Sequence, residues 1–351
     1  MRKLVGALLA AAALTVLAAG CGGDDGDGTA ATGTASAEGG GSLVVYSGRE
    51  EEIVAPLFER FEEETGIDVD VRYADSAELA ATIAEEGDNS PADVFFAQDP
   101  GSLGAVSDSL ADLPDEILGR VDADFRGGDK WVGTSGRTRV IVYNTDALSE
   151  DEVPDSVFDL TDPKWSGKIG IAPTNASFQA FVTAMRLDVG DDRTREWLEG
   201  VKANDPKFYE KNTPVVEATA SGEVELGLVN HYYLYLVRAE QGEDTPIENH
   251  YLEGDDPGAL VTVAGAGVLD GAENQENAER FLEFLLSDES QRFYTKEAAE
   301  AEIPLIDGIE PREGIPSLEE LAGAGPDVDF EQFGEELERT LELLNETGYT
   351  S

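Results

Sequence analysis

Short apolar runs separated by amphipathic helical patterns recur from Leu43 onward, and this alternation limits the fold more than any other feature of the chain. Leu43-Val44-Val45-Tyr46 reads as a β-strand closed by Ser47-Gly48. Ile53, Val54, Leu57, Phe58 and Phe61 then follow i, i+3 and i+4 spacing up to Thr65-Gly66, which predicts a helix. Ile67 to Tyr73 alternates apolar and polar residues as a half-buried strand does; Ser76 to Glu86 reads as a second helix and Ala92 to Phe96 as another short buried strand. A βαβαβ order predicts a parallel sheet covered by helices.

The same alternation returns downstream. Strands are expected over Arg139 to Tyr143, Lys168 to Ile171, Val224 to Val229 and Leu260 to Ala264. Helices are expected over Ser177 to Leu187, Arg193 to Val201, from about His231, and over Gln275 to Leu286 and Ser290 to Glu300. A folded part of roughly 300 residues is long enough for two lobes with separate cores. Ligands of open α/β sheets sit beyond the carboxyl ends of the strands. The loops Tyr46-Ser47-Gly48, Ala97-Gln98-Asp99, Pro173-Thr174-Asn175 and Asn230-His231-Tyr232-Tyr233 therefore form the candidate site.

The chain ahead of Leu43 has a different character. Arg2 and Lys3 precede the apolar run Leu4 to Ala19, which is shorter than the roughly 20 residues a bilayer span requires, so segment 1–20 reads as a secretory signal peptide. Leu17-Ala18-Ala19-Gly20-Cys21 resembles a lipobox, and Cys21 is the only cysteine, with no partner for an internal disulfide. Acylation of Cys21 is expected. Residues 21–42, rich in Gly, Asp, Thr, Ala and Ser, read as a flexible tether. The expected location is extracytoplasmic, with the membrane contacted through the lipid anchor alone.

Twenty-four basic against 74 acidic residues give a formal charge of −50, and loss of Arg2 and Lys3 with the signal makes it more negative. Such a field repels nucleic acid and anionic lipid head groups, so neither is an expected partner. The acids are spread along the chain, which speaks of solubility in a salty or acidic habitat rather than of a particular ligand.

Chemistry concentrates in Leu226 to Tyr235. Asn230 suits a helix N-cap, which would place Tyr232 and Tyr233 in the first turn, about 100° apart around the axis. Two phenolates are hard, anionic oxygen ligands suited to a hard trivalent cation, although an adjacent tyrosine pair also serves plain packing. Pro173 to Phe178 looks like a loop opening a helix, either as an ordinary cap or as a place where an anion meets backbone N–H groups. The chain has only His231 and His250, and no GxSxG, Walker loop, HExxH or CxxC, so a histidine acid–base enzyme or a His/Cys zinc site is not indicated.

Taken together, Val45-Tyr46-Ser47-Gly48-Arg49, Ser90 to Phe96, Ser135-Gly136-Arg137-Thr138-Arg139-Val140, Pro163-Lys164-Trp165, Asn230-His231-Tyr232-Tyr233 and Asp256 to Thr262 resemble the ferric-ion-binding proteins of bacterial ABC transporters. The resemblance runs in order from about Leu43 to Ile306. It implies an α/β type 2 periplasmic-binding-protein fold, with two lobes joined by strands crossing near Gly136 to Val142 and Thr262 to Ala266. Lobe 1 would comprise 43–138 plus 263–312, and lobe 2 would comprise 139–262 plus 313–351. It also implies that Tyr232 and Tyr233 are the paired phenolate ligands of Fe(III).

The family's first-lobe histidine position holds Glu50 here, and its glutamate position holds Gln98. The third tyrosine used by another branch is missing from Asn175-Ala176-Ser177, so a synergistic anion, carbonate or phosphate, is expected. By similarity its contacts are Asn175, Ala176, Ser177, Asn212, Asn230 and Arg139. The implied partners are an ABC permease and ATPase serving a monomeric capture protein that is not an enzyme. A same-fold receptor for an organic cation such as a polyamine or thiamine is the alternative, and an iron-dependent enzyme a more distant one.

Overall fold

The computed structural model describes residues 40–350; the signal segment 1–20, Cys21 and most of the tether lie outside the described residues. Strands β1 (Gly41–Ser47), β2 (Ile67–Tyr73) and β3 (Val94–Ala97) form the expected parallel unit, with β1 between the other two. Helix Glu51–Thr65 buries Val54, Leu57, Phe58 and Phe61. It stops at Gly66, whose φ of 69° only glycine adopts without penalty. Phe58 and Phe61 pack on Phe281 of helix Gln275–Leu285, with ring centroids 5.3 and 5.1 Å away.

The remaining strands are β4 (Arg126–Gly127), β5 (Trp131–Asn144), β6 (Ile169–Ile171), β7 (Lys207–Phe208), β8 (Leu226–Asn230), β9 (Ile247–His250) and β10 (Val261–Val268). One sheet runs β2-β1-β3-β10-β5 and the other β5-β8-β6-β7, with β9 also paired to β5. Thr138 of β5 pairs with Val261 of β10, whereas the next residue, Arg139, pairs with Asn230 of β8. β5 therefore passes from one lobe to the other at a single peptide, and every residue of it is buried. β10, buried throughout, is the second crossing strand. It follows the short turn Pro257–Ala259, which packs on the second-lobe helix Ala176–Val189.

Two parts of the chain depart from expectation. The helix expected over Ser290 to Glu300 is instead Asp288–Arg292 followed by a wide π turn, Phe293–Glu297. That turn buries the consecutive residues Phe293, Tyr294 and Thr295, which one face of a regular helix does not accommodate. The chain then leaves the helix, and Ala301 adopts a positive φ of 49°. The second departure is the C-terminal helix Glu331–Glu346, which the sequence pattern did not single out. Its Thr340 meets Thr183 at 2.8 Å, and its Glu336 accepts from Arg186 at 2.8 Å, both on helix Ala176–Val189. Near its start, Gly334 lies so close to Gly104 and Ala105 of the first lobe that a Cβ would sit 3.0 Å from their backbone atoms. Among the described residues, no helix is long and apolar enough to cross a membrane.

Candidate functional site

Asn230 is the last residue of β8 rather than a helix cap, because its pairing with Arg139 keeps it in the sheet. Helix Tyr233–Gln241 begins three residues later, with Tyr232 in the cap position and already helical (φ −71°, ψ −22°). Tyr232 therefore stands ahead of the first turn instead of within it, and the two phenols nevertheless lie against each other. Their ring centroids lie 4.3 Å apart, tilted by 33°. Tyr232 is 2 % exposed and Tyr233 partly buried. Burial raises the pKa of both; for Tyr232 the neighbouring phenol adds to the shift, whereas for Tyr233 hydrogen bonding with Tyr232 and Asn212 opposes it. Both are neutral until something displaces their protons. Tyr235 lies apart, half-buried under the Arg312 guanidinium at 5.2 Å.

His231 anchors this corner. Its Nδ1 accepts from the Thr138 amide at 3.3 Å, so its Nε2 carries the proton and donates to the Ala301 carbonyl at 3.1 Å. Its own amide donates to the Thr138 carbonyl at 2.9 Å. The residue before the phenols is thereby fixed to the point where β5 changes lobes. Burial lowers the imidazole pKa to about 4 and keeps the ring neutral.

The residues expected around an anion do meet beside the phenols. Asn175 caps helix Ala176–Val189, its Oδ1 accepting from the Ser177 amide at 3.0 Å, the Ser177 hydroxyl at 2.7 Å and Asn212 Nδ2 at 3.1 Å. Ala176 is the first helical residue, where amides lack partners within the helix. Arg139, 2 % exposed, donates to Ser177 Oγ at 3.2 Å, Asn230 Oδ1 at 3.3 Å and the Leu228 carbonyl at 2.9 Å. Among the described residues no carboxylate pairs with it, and burial lowers its pKa to about 10. Among the described residues, Arg139 Nε and Asn230 Nδ2 are buried donors without an acceptor. A buried positive charge with idle donors is a costly arrangement that an anion relieves.

On the first-lobe side, Glu50 stands exposed at the cap position of helix Glu51–Thr65 and caps nothing with its side chain. Gln98 follows β3 with its backbone held on both sides: its amide donates to Ser76 Oγ at 2.9 Å and its carbonyl accepts from Arg137 Nη1. Ser76 comes this near because Gly48 lacks a side chain; a Cβ there would sit 2.0 Å from Ser76 Oγ. No hydrogen bond joins the Glu50 or Gln98 side chain to the phenols among the described residues.

Sequence reasoning missed one cluster. Arg49 and Arg137, both within the family-like motifs, grip two buried carboxylates from the segment after the π turn. Glu302 is saturated, with Oε1 accepting from Arg137 Nη2 at 2.7 Å and Arg49 Nη1 at 3.3 Å, and Oε2 from Arg49 Nη2 at 2.9 Å. Glu300 receives only Arg49 Nη2, at 3.0 Å on Oε2. Burial pushes both carboxyls up, but the two guanidiniums outweigh it at Glu302 and hold that group low, whereas the charge of Glu302 helps keep Glu300 raised. The one available signal was Glu300-Ala301-Glu302 set against the apolar Ile303-Pro304-Leu305-Ile306, where carboxylates must find partners.

Two lobes joined by β5 and β10, with a polar site at the strand ends between them, define an extracytoplasmic binding protein of the type 2 periplasmic-binding-protein fold. Residues 56–322 match the family described as bacterial extracellular solute-binding protein. The chain is 36% identical over 271 residues to the major ferric iron-binding protein of Neisseria meningitidis, covering 75% of this chain and 80% of that protein. It is 31% identical to the Fe(3+)-binding periplasmic protein of Serratia marcescens, covering 87% and 90%. Iron-bound HitA from Pseudomonas aeruginosa superposes with a TM-score of 0.81 at 34% identity, over 88% of this chain and 99% of that one. A Trichodesmium protein solved with iron and citrate gives 0.75 at 26% identity, over 88% and 100%. The chain belongs to the bacterial extracellular solute-binding protein family and, within it, to the ferric-iron-binding periplasmic proteins.

Proposed function

We propose that this protein captures Fe(III) between its lobes, together with a synergistic anion, and hands it to an ABC permease and ATPase. The observation that carries this reading is the close, tilted Tyr232–Tyr233 pair next to the guanidinium of Arg139, which no carboxylate among the described residues pairs with. Ferric ion displaces the two phenolic protons and gains two anionic oxygens. Carbonate or phosphate then fills the pocket of Asn175, Ala176, Ser177, Asn212, Asn230 and Arg139. Glu50 supplies a carboxylate oxygen when the lobes close, and Gln98 bonds a metal-bound water or the anion. The lobes are 43–138 plus 263–312 and 139–262 plus 313–351, and the protein works as a monomer tethered outside the cytoplasm through acylated Cys21. A polyamine or thiamine suits the site less well, because its positive charge would meet buried Arg139.

The test is titration of purified protein with a ferric salt, following the visible phenolate-to-iron charge-transfer band. Tyr232→Phe and Tyr233→Phe each remove one of two anionic phenolate ligands and are expected to weaken binding by about a hundredfold, with a much weaker band carried by the remaining phenolate. Tyr235→Phe, whose ring lies under the Arg312 guanidinium, is expected to behave as wild type. Equal behaviour of all three variants returns the pair to a packing role.

A further inference from the structure

Glu300 and Glu302 leave the same strained turn and reach the same guanidinium, yet they are not equivalent. Glu302 accepts three hydrogen bonds through both oxygens and is a finished structural ion pair. Glu300 is 3 % exposed and accepts one, so its Oε1 is without a partner among the described residues. That oxygen is not among the buried atoms left without a partner, so it still reaches solvent and is open to a ligand, while Oε2 is held by Arg49. The turn itself points to a purpose: Ala301, a non-glycine residue at φ 49°, lies between the two glutamates, and strain of this kind is retained where it positions a group. The Ala301 carbonyl is held by His231, the residue immediately before the two phenols. The turn that carries Glu300 is thus fixed to the corner that carries Tyr232, and the Glu300 charge acts on both phenols.

We infer that Glu300 is a further ligand of the captured ion, its free oxygen completing the coordination begun by Tyr232 and Tyr233 while Arg49 holds the other oxygen. The inference rests on the ferric reading of the tyrosine pair. Arg49 orients the carboxylate as an outer partner orients a metal ligand, and Glu302 keeps that guanidinium in place. A hard carboxylate oxygen suits Fe(III), whereas the neutral amide of a glutamine is a much weaker donor.

Glu300→Gln keeps the shape and an acceptor for Arg49. Titrated with ferric nitrilotriacetate beside Tyr232→Phe and Glu302→Gln, it is expected to bind about a hundredfold more weakly than wild type and to show a charge-transfer band moved to longer wavelength, because an iron that has lost an anionic ligand draws charge from phenolate more easily. Glu302→Gln is expected to lose melting temperature without moving the band. Wild-type affinity and an unmoved band in Glu300→Gln, with Tyr232→Phe weakened in both affinity and band intensity, overturn the role of Glu300 and leave the ferric reading standing. Undiminished binding by Tyr232→Phe overturns the ferric reading itself. Should Glu300→Gln not fold, Glu300→Asp, which draws the carboxylate back by one methylene, is read by the same two measurements and overturns the inference if both are unchanged.

Discussion

Arg139 is a buried guanidinium whose partners are a hydroxyl, an amide oxygen and a backbone carbonyl, all neutral. Removing a charge from water without a counter-charge costs several kcal/mol, so the residue is kept for what it attracts. Arg139→Ala is expected to flatten the dependence of ferric affinity on added phosphate or carbonate, an enhancement of about tenfold in the wild type, while leaving anion-free binding nearly unchanged. Titrations with and without each anion check this, and an undiminished enhancement places the anion elsewhere. Tyr232, Tyr233 and the helix start at Asn175 to Ser177 stood out in the sequence because phenols and a loop-borne helix start have distinctive chemistry, whereas Arg139 and Asn212 entered as anion contacts only through the family resemblance. Glu300 was not legible. It is one of 74 acidic residues, and a helix pattern that runs through it gives no sign of the turn that buries it.

At the level of elements, periodicity located the helices and strands whose two faces differ. Helix Ser76–Glu86 matches its expected span because one face is wet. β5 is wholly buried and carries Gly133, Ser135, Gly136 and Thr138, so neither alternation nor apolar content marked its first half; only Arg139 to Tyr143 stood out. The C-terminal helix is fastened through Asp191, which accepts from Arg186 at 2.7 Å and from Arg339 at 2.9 Å. Burial opposes the Asp191 charge, but the two arginines outweigh it and lower the pKa. A lowered folded-state pKa means that this contribution is complete above the ordinary aspartate value of about 4 and is lost as pH falls through the folded value. Wild type is therefore expected to exceed Asp191→Asn in stability at neutral pH by no more than about 1 kcal/mol, because the carboxylate is partly exposed. Melting curves across the acid range are expected to show that gap closing, and a gap that widens on acidification contradicts the pairing.

For the molecule as a whole, a charge of −50 sets the terms of stability. Like charges on one compact body repel, and raising salt from dilute to molar shrinks the Debye length from about 30 Å to about 3 Å. The melting temperature of the metal-free protein is expected to rise by a few degrees over that range, and a temperature that stays level means that the acids are already balanced locally. The same body is divided by a single peptide of β5, and its last helix spans the division with unequal grips. On the second lobe that helix is held by hydroxyl and guanidinium contacts; on the first, Gly334 packs on the backbone of Gly104 and Ala105, and the Glu331 carboxylate lies beside Gly128. A contact this close leaves no room for even a methyl group, so the seam between the last helix and the first lobe is set by backbone lying on backbone, and its spacing is fixed by what glycine lacks.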